Sequence, residues 1–378
     1  METGNRLVLL DFLLVTVALV THIVDFLVSG YTAYKQFYMR NYAIVAVTAL
    51  LAFVPGFITS VLSCFWLARG SSQSVRPKLP TLFHVFRILS VVFLNSPVSG
   101  YVNALYYLFK RHQALLKGEL EALQRSWELM AACMMEVTML RLYFAFLNTC
   151  PQLILQIYFW LQMETKANSS EGWLDILVAM NSMISISMAA TTYDRTFLQN
   201  RPDKETMRFR ATVMLFFIHF FNLGARLLAI SLFTSLSVEY VALLLGIHWI
   251  VMVAWLMLPV LKSSFHFEKI LAIMALGVAF IFVFIKSEGS RTRRKYAFYY
   301  TISLVGNTSM MVMWFKHGSY PNLPDIPNFM DSWIYYLGLT CHYVFFFTGI
   351  VLLALYHMSR LPGRAASVEI RLSERLPN

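Results

Sequence analysis

Ten apolar segments alternate with polar loops along the chain, at 7–33, 42–68, 80–109, 129–162, 173–197, 211–235, 237–261, 270–285, 296–315 and 332–358. A membrane-spanning helix needs about 20 mostly apolar residues, because about 30 Å of hydrocarbon is crossed at 1.5 Å per residue. Eight segments meet that length without interruption. The third carries Arg87 and the break Asn95-Ser96-Pro97, and the eighth has only about 16 apolar residues. Non-helical backbone at membrane depth is tolerated where protein buries it, so these two are read as re-entrant. The pattern predicts an all-α polytopic membrane protein with eight transmembrane helices and two re-entrant segments. Residues 1–200 start inside, span twice, dip and span twice more. Residues 201–358 do the same, and 359–378 form a cytoplasmic tail. Two such repeats predict a pseudo-two-fold axis along the membrane normal.

Composition agrees. Hydrophobic residues make up 58% of the chain and charged residues 13%, against about 25% charge in soluble domains. The net charge of +11 raises the question of a nucleic-acid partner, and its distribution answers it. With both termini cytoplasmic and the two segments re-entrant, 23 of the 31 Lys and Arg fall on the cytoplasmic face and four outside. That is the positive-inside asymmetry of a multi-pass protein, and no nucleic-acid partner is expected. The first segment is too long for a signal peptide and contains Asp11 and Asp25, so it is read as the first span. Cys64, Cys133, Cys150 and Cys341 show no metal or redox spacing and read as small buried hydrophobes. Asn168-Ser169-Ser170 lies in an outside loop as a glycosylation acceptor triplet.

Ionisable residues inside spans are costly and face the bundle or a wet path. At 100° per residue, Asp11, His22, Asp25 and Ser29 share an arc of about 60° on the first segment. His219, Asn222 and Arg226 share a similar arc on the sixth. Arg141, Asn148 and Gln152 form a narrower stripe on the fourth, with Glu136 pointing elsewhere and Pro151 expected to bend the helix. Similar depth, opposite charge and equivalent positions predict an ion pair between Asp25 and Arg226. Two roles fit such stripes: static glue between helices, or a stepped path that lowers the barrier for a charged headgroup. The sequence has no metal-binding His spacing, no phosphate loop and no nucleophile elbow. No enzyme chemistry, cofactor or metal is expected.

The fourth segment carries a further signal. Met139-Leu140-Arg141-Leu142-Tyr143, Phe146-Leu147 and Pro151-Gln152-Leu153-Ile154-Leu155-Gln156 resemble the signature of the XK-related family. That family includes the Kell-associated membrane protein and the apoptotic phospholipid scramblases. Ser187 through Tyr193-Asp194-Arg195 is similar to the family's SWxxxDYxRALR element, and Arg226-Leu227-Leu228-Ala229 to its RVLAVALF element. Tyr240 to Leu243, Glu288-Gly289 with Thr292-Arg293, and Asp25 late in the first span also fit, in the family order. The resemblance implies ATP-independent, bidirectional phospholipid movement that exposes phosphatidylserine, in the plasma membrane. The polar stripes and the resemblance together mark Asp11, Asp25, Glu136, Arg141, Asn148, Gln152, Asp194, Arg195 and Arg226 as candidates for the headgroup path or for intramembrane ion pairs.

Two departures stand out. The family signature RLFExFLExxPQL has its two acids replaced here by Phe144 and Asn148, and the acid of the Tyr193 element is Thr192. The tail from Ser359 onward contains no Asp, so the caspase cleavage of apoptotic members has no target there. Arg364-Ala365-Ala366-Ser367 instead suits a basophilic kinase, which makes Ser367 a candidate regulatory site. Expected partners are membrane phospholipids and a single-span or peripheral membrane protein. A solute transporter and a non-transporting membrane scaffold remain alternatives to lipid movement.

Overall fold

The computed structural model describes residues 2–72, 81–164, 172–200, 209–258, 266–285, 292–318 and 332–373. Among these residues all regular structure is helical, without a strand. The Asn168 triplet lies outside the described residues, as does the side chain of Ser367.

Helix α1 runs Glu2–Tyr38 and α2 runs Tyr42–Ser72, joined by a turn in which Arg40 takes a left-handed φ of 59°. The third apolar segment is two helices, α3 (Thr81–Val92) and α4 (Ser96–Lys117), parted at Phe93–Asn95. Pro97 suits the first turn of α4, where its missing N–H would have had no partner. Helix α4 does not stop at residue 109 but carries Arg111 on its final turns. It ends at Gly118, whose φ of 72° favours glycine, while Glu119 N–H closes onto the Ala114 carbonyl. This tight cap turns the chain straight into α5 (Leu120–Phe144), which packs along α4.

Helix α5 continues through a π turn at Ala145–Thr149 into α6 (Cys150–Glu164). The sequence expectation was a bend at Pro151. The backbone accommodates the proline one residue earlier: Cys150 N–H reaches back five residues to the Ala145 carbonyl. Single π turns of this kind interrupt long helices and recur at functional sites. Helix α7 is Gly172–Gln199, α8 Phe209–Thr234, α9 Val238–Met257, α10 Phe267–Phe282, α11 Thr292–Gly318 and α12 Ser332–Ser373.

Helix α8 is the hub, packed by α12, α7, α11 and α6. It meets α12 closely because Gly349 faces Asn222 and Gly224 faces Phe345, where a Cβ would collide at 2.6 and 2.7 Å. By contrast α9 leaves Leu243, Ile247, Ile250 and Trp255 exposed along one side, the surface expected of a lipid-facing helix.

Among the described residues, seven stretches are long and apolar enough to cross a bilayer, by length and composition: Val8–Tyr38, Tyr42–Ala68, Leu120–Leu161, Trp173–Gln199, Phe209–Thr234, Val238–Met257 and Tyr336–Ser359. The eighth expected span, now α11, has the length at 27 residues. It falls short in apolar density, carrying Thr301, Ser303, Asn307, Thr308 and Ser309. The eighth apolar segment, read as re-entrant, is α10; its 16 residues rise about 24 Å. It is followed by non-helical Val283–Ile285, with Val283 extended, and Phe280 through Ile285 are all buried. One reading is corrected: of the four cysteines only Cys150 is buried, and Cys64 is exposed.

Candidate functional site

Helix α1 carries the polar stripe that its sequence predicted. His22, Asp25 and Ser29 are each at most 6% exposed, because spacings of three and four place them on one face. Asp25 Oδ2 accepts from Arg141 Nη1 of α5 at 3.2 Å and from Thr149 Oγ1 of the π turn at 2.6 Å. Arg141 Nη2 also donates to Ser185 Oγ of α7. One guanidinium therefore joins three helices. Beneath it lies Phe144, with the guanidinium carbon 6.0 Å from the ring centroid and the His22 ring edge-on at 5.2 Å. His22 Nε2 in turn donates to Asn95 Oδ1, in the break between α3 and α4, at 2.6 Å. The phenylalanine that stands where the family has an acid thus packs against the arginine instead of charging the site.

At one end of α1, Asp11 lies between two arginines. Arg195 Nη2 of α7 reaches its Oδ1 at 2.6 Å and Arg111 Nη1 of α4 reaches its Oδ2 at 3.2 Å. Arg195 Nη1 also donates to Thr212 Oγ1 of α8 at 2.8 Å. A cleft opens beside this centre, lined by Asp11, Trp127, Thr192, Arg195, Thr196 and Asn200 among others. Thr192 bonds back to the Met188 carbonyl of its own helix at 2.8 Å, and among the described lining residues Asp11 is the acid. Near the other end of α1, Lys35 Nζ donates to Asp175 Oδ1 of α7 at 2.7 Å, and Gln156 donates to Thr32 Oγ1 at 3.2 Å.

These levels have an order. Down α1 they are Asp11, Asp25 and Lys35, and along α7 their partners are Arg195, Ser185 through Arg141, and Asp175. The two helices are antiparallel, so the seam between them carries three charged levels. From residue 11 to residue 35 the rise is about 36 Å, which crosses the roughly 30 Å hydrocarbon core and reaches into the headgroup region. The middle level is sealed, with side-chain exposures of 2% and 1% for Arg141 and Asp25. The outer levels are open to 15% at Asp11 and 40% at Asp175.

The remaining predicted residues divide. Gln152 donates to Asn148 Oδ1 at 2.8 Å within their own helix. Asp194 pairs with His219 of α8 at 3.2 Å, both buried. Glu136 is half-buried on α5. The predicted Asp25–Arg226 pair is not formed. Helix α1 packs against α2, α4 and α7, whereas α8 packs on α12, α7 and α11, and Arg141 occupies Asp25. Arg226 Nε instead donates to the Ile281 carbonyl in the last turn of α10 at 3.2 Å, and Nη1 donates to Asn307 Oδ1 of α11. Matching depth and charge do not specify which helices are neighbours.

Sequence reasoning missed Arg111, Asn95, Thr149, Ser185, Asn307 and the Lys35–Asp175 pair as partners. Arg111 was legible in part: the helical pattern does not break until Gly118, which keeps residue 111 on a helix rather than in a loop. Ser185 and Thr149 carry no signal of their own, since buried hydroxyls usually bond back to their own helix.

Residues 13–362 match the XK-related protein family. Cell death abnormality protein 8 of Caenorhabditis briggsae is 24% identical over 387 residues, covering 95% of this chain and 80% of that protein. With the match running from the first polar stripe of α1 into α12, the chain belongs to the XK-related family.

Proposed function

We propose that the chain is a phospholipid scramblase that moves headgroups between leaflets along the α1–α7 seam without ATP. The observation that carries this reading is the series of three charged levels spaced through about one bilayer thickness. Each level offers a zwitterionic or anionic headgroup both a cation and an anion: Asp11 with Arg111 and Arg195, Asp25 with Arg141, and Lys35 with Asp175. Such a series lowers the cost of charge inside hydrocarbon, and the tails remain in lipid. A relative whose name refers to cell death supports a role in surface phosphatidylserine exposure. The distribution of basic residues supports cytoplasmic termini, with the Asp11 level inside and the Lys35 level outside.

The sealed middle level makes the described conformation a closed one, in which Asp25 and Arg141 bond each other and not a headgroup. Opening requires α1 and α5 to part at that level. The same sealing favours a second reading, a non-transporting scaffold in which the pair is static glue. Reconstitution separates the two. Fluorescent phospholipid in liposomes is bleached by external dithionite only in the outer leaflet. Scrambling predicts loss of more than half the signal with the full chain present. An unchanged half-loss, with and without a cytosolic extract to release the closed state, overturns scrambling and leaves the scaffold.

A further inference from the structure

The junction between α3 and α4 goes against two local preferences. Helix α3 ends in a double turn, with Asn95 N–H on the Ser90 carbonyl at 2.8 Å and Leu94 N–H on the Val91 carbonyl at 3.0 Å. The left-handed position of such a turn usually holds glycine. Here it holds Leu94, with a φ of 54°, a conformation strained for any residue with a Cβ. Strain of this kind persists only where the surroundings impose it. Leu94 lies on Gly56 of α2, where a Cβ would stand 2.7 Å from the Leu94 carbonyl oxygen. The second exception is Asn95. An asparagine at a helix N-cap usually bonds the first N–H groups of its helix. Asn95 is the N-cap of α4, yet its side chain makes no such bond. Its Oδ1 accepts from His22 Nε2 instead, while His22 Nδ1 has no hydrogen-bond partner.

From His22 the contacts lead to the sealed level. The His22 ring stands edge-on to Phe144, and Phe144 lies beneath the Arg141 guanidinium that pairs with Asp25. On its other side α4 is held fast, because Gly100 meets Val137 of α5 where a Cβ would lie 2.7 Å away. Helix α3 packs on α2 and α4 and exposes Leu82, Ile88 and Phe93 on its outer side. We infer that this junction is a latch that holds the middle level shut, with Asn95 and His22 as its positioning residues. When α3 shifts on α2, Leu94 relaxes from its left-handed conformation and Asn95 is drawn off His22. A fully buried imidazole without a hydrogen bond is unfavourable, so His22 turns away and Phe144 loses its edge contact. The floor beneath Arg141 loosens, and α1 and α5 part. The inference rests on the reading of the middle level as closed, and not on what passes through it.

The reporter is Cys150, fully buried and next in the chain to Thr149, which bonds Asp25. The purified full chain in a sugar detergent is labelled with N-ethylmaleimide. Mass spectrometry reads the rate at Cys150 relative to Cys341, on α12, so that general unfolding, which speeds both, cancels. Asn95→Ala should raise this ratio about tenfold. Asn95→Asp keeps the acceptor for His22 and should retain the parent ratio. Gly56→Ala forces the junction outward and should raise the ratio about fivefold. The double variant Gly56→Ala with Asn95→Ala should be no faster than Asn95→Ala alone, because both release the same latch. An unchanged ratio in Asn95→Ala, a fast Asn95→Asp, or multiplied effects in the double variant overturns the latch. The dithionite assay on the same proteins tests the lipid reading separately. Faster Cys150 labelling with no lipid movement in any of them keeps the latch and overturns scrambling.

Discussion

Two of the three arginines buried among the described residues, Arg141 and Arg226, are held under different terms. Arg141, 1% exposed, faces the carboxylate of Asp25. Arg226, 6% exposed, has no carboxylate in reach among the described residues and rests on the Ile281 carbonyl and the Asn307 amide. The first is an ion pair closed on itself, which locks α1, α5 and α7 together. The second is a cation held by dipoles. The last-turn carbonyls of α10 carry the negative end of that helix's dipole, equivalent to roughly half an elementary charge. A half-length helix that ends inside the core is therefore what Arg226 has in place of an acid, and it explains why the buried end of α10 and Arg226 lie together. The comparison teaches that a buried charge in this fold is positioned by whichever complement its neighbours bring, a side chain or a helix terminus.

The largest expected effect lies at the first of these. Asp25→Asn leaves the Arg141 guanidinium buried without its counter-charge, and breaking a buried pair this way costs about 3–5 kcal/mol. Folded yield and thermal stability in detergent should fall sharply. Combining it with Arg141→Gln should cost less than the sum of the single changes, because no orphan charge remains. Additive losses in that double-mutant cycle break the claim that the two residues are coupled. Asp11→Asn comes next, at about 2 kcal/mol. It removes the acceptor of two guanidinium groups, but in a partly open cleft where water can replace it. A loss as large as that of Asp25→Asn would mean the cleft is closed to water.

At the second arginine the effects are smaller, and one reverses sign. Arg226→Gln removes a cation that no carboxylate neutralises, so desolvation relief offsets part of the lost hydrogen bonding, and the net cost is about 1 kcal/mol. Asn307→Asp places a carboxylate where Nη1 already points. A charge-assisted bond is roughly twice as strong as a neutral one, so thermal stability should rise by about 1 kcal/mol. If Asn307→Asp destabilises and Arg226→Gln costs as much as Asp25→Asn, then Arg226 already has a counter-charge and the comparison fails.

What the sequence made legible follows from what one helix can report about itself. The face of α1 that buries His22, Asp25 and Ser29 came from angular spacing alone, and so did the face of α8 that buries His219, Asn222 and Arg226. The break between α3 and α4 was marked by Asn95-Ser96-Pro97, and the shortness of α10 by its apolar length. Pairings between helices were not legible. Asp25 and Arg141 are 116 residues apart, and depth along a helix leaves its rotation and its neighbours undetermined. The π turn was invisible for a related reason. Pro151 signals a disturbed hydrogen-bond ladder, but the disturbance is resolved at Ala145–Thr149, and that choice delivers Thr149 to Asp25. Dipolar partners such as the Ile281 carbonyl have no side-chain signature at all.

The smallest effect on stability should come from Lys35→Met, and it sharpens the comparison most. Lys35 and Asp175 are 17% and 40% exposed, so water screens the pair and its loss costs about 0.5 kcal/mol. A stability measurement alone would call this level unimportant. If the α1–α7 seam is only glue, lipid movement by Lys35→Met in the dithionite assay should equal that of the parent, since the helices stay packed. If the seam is a headgroup path, the outer level is where a phosphate first exchanges its water for a protein cation, and removing that cation raises the entry barrier. Scrambling should then slow about tenfold, which corresponds to about 1.4 kcal/mol in that barrier, while thermal unfolding barely moves. Lys35→Arg keeps the charge and should retain the parent rate. Equal rates in all three proteins would assign the outer pair to packing and leave Asp11 and Asp25 to carry any path by themselves.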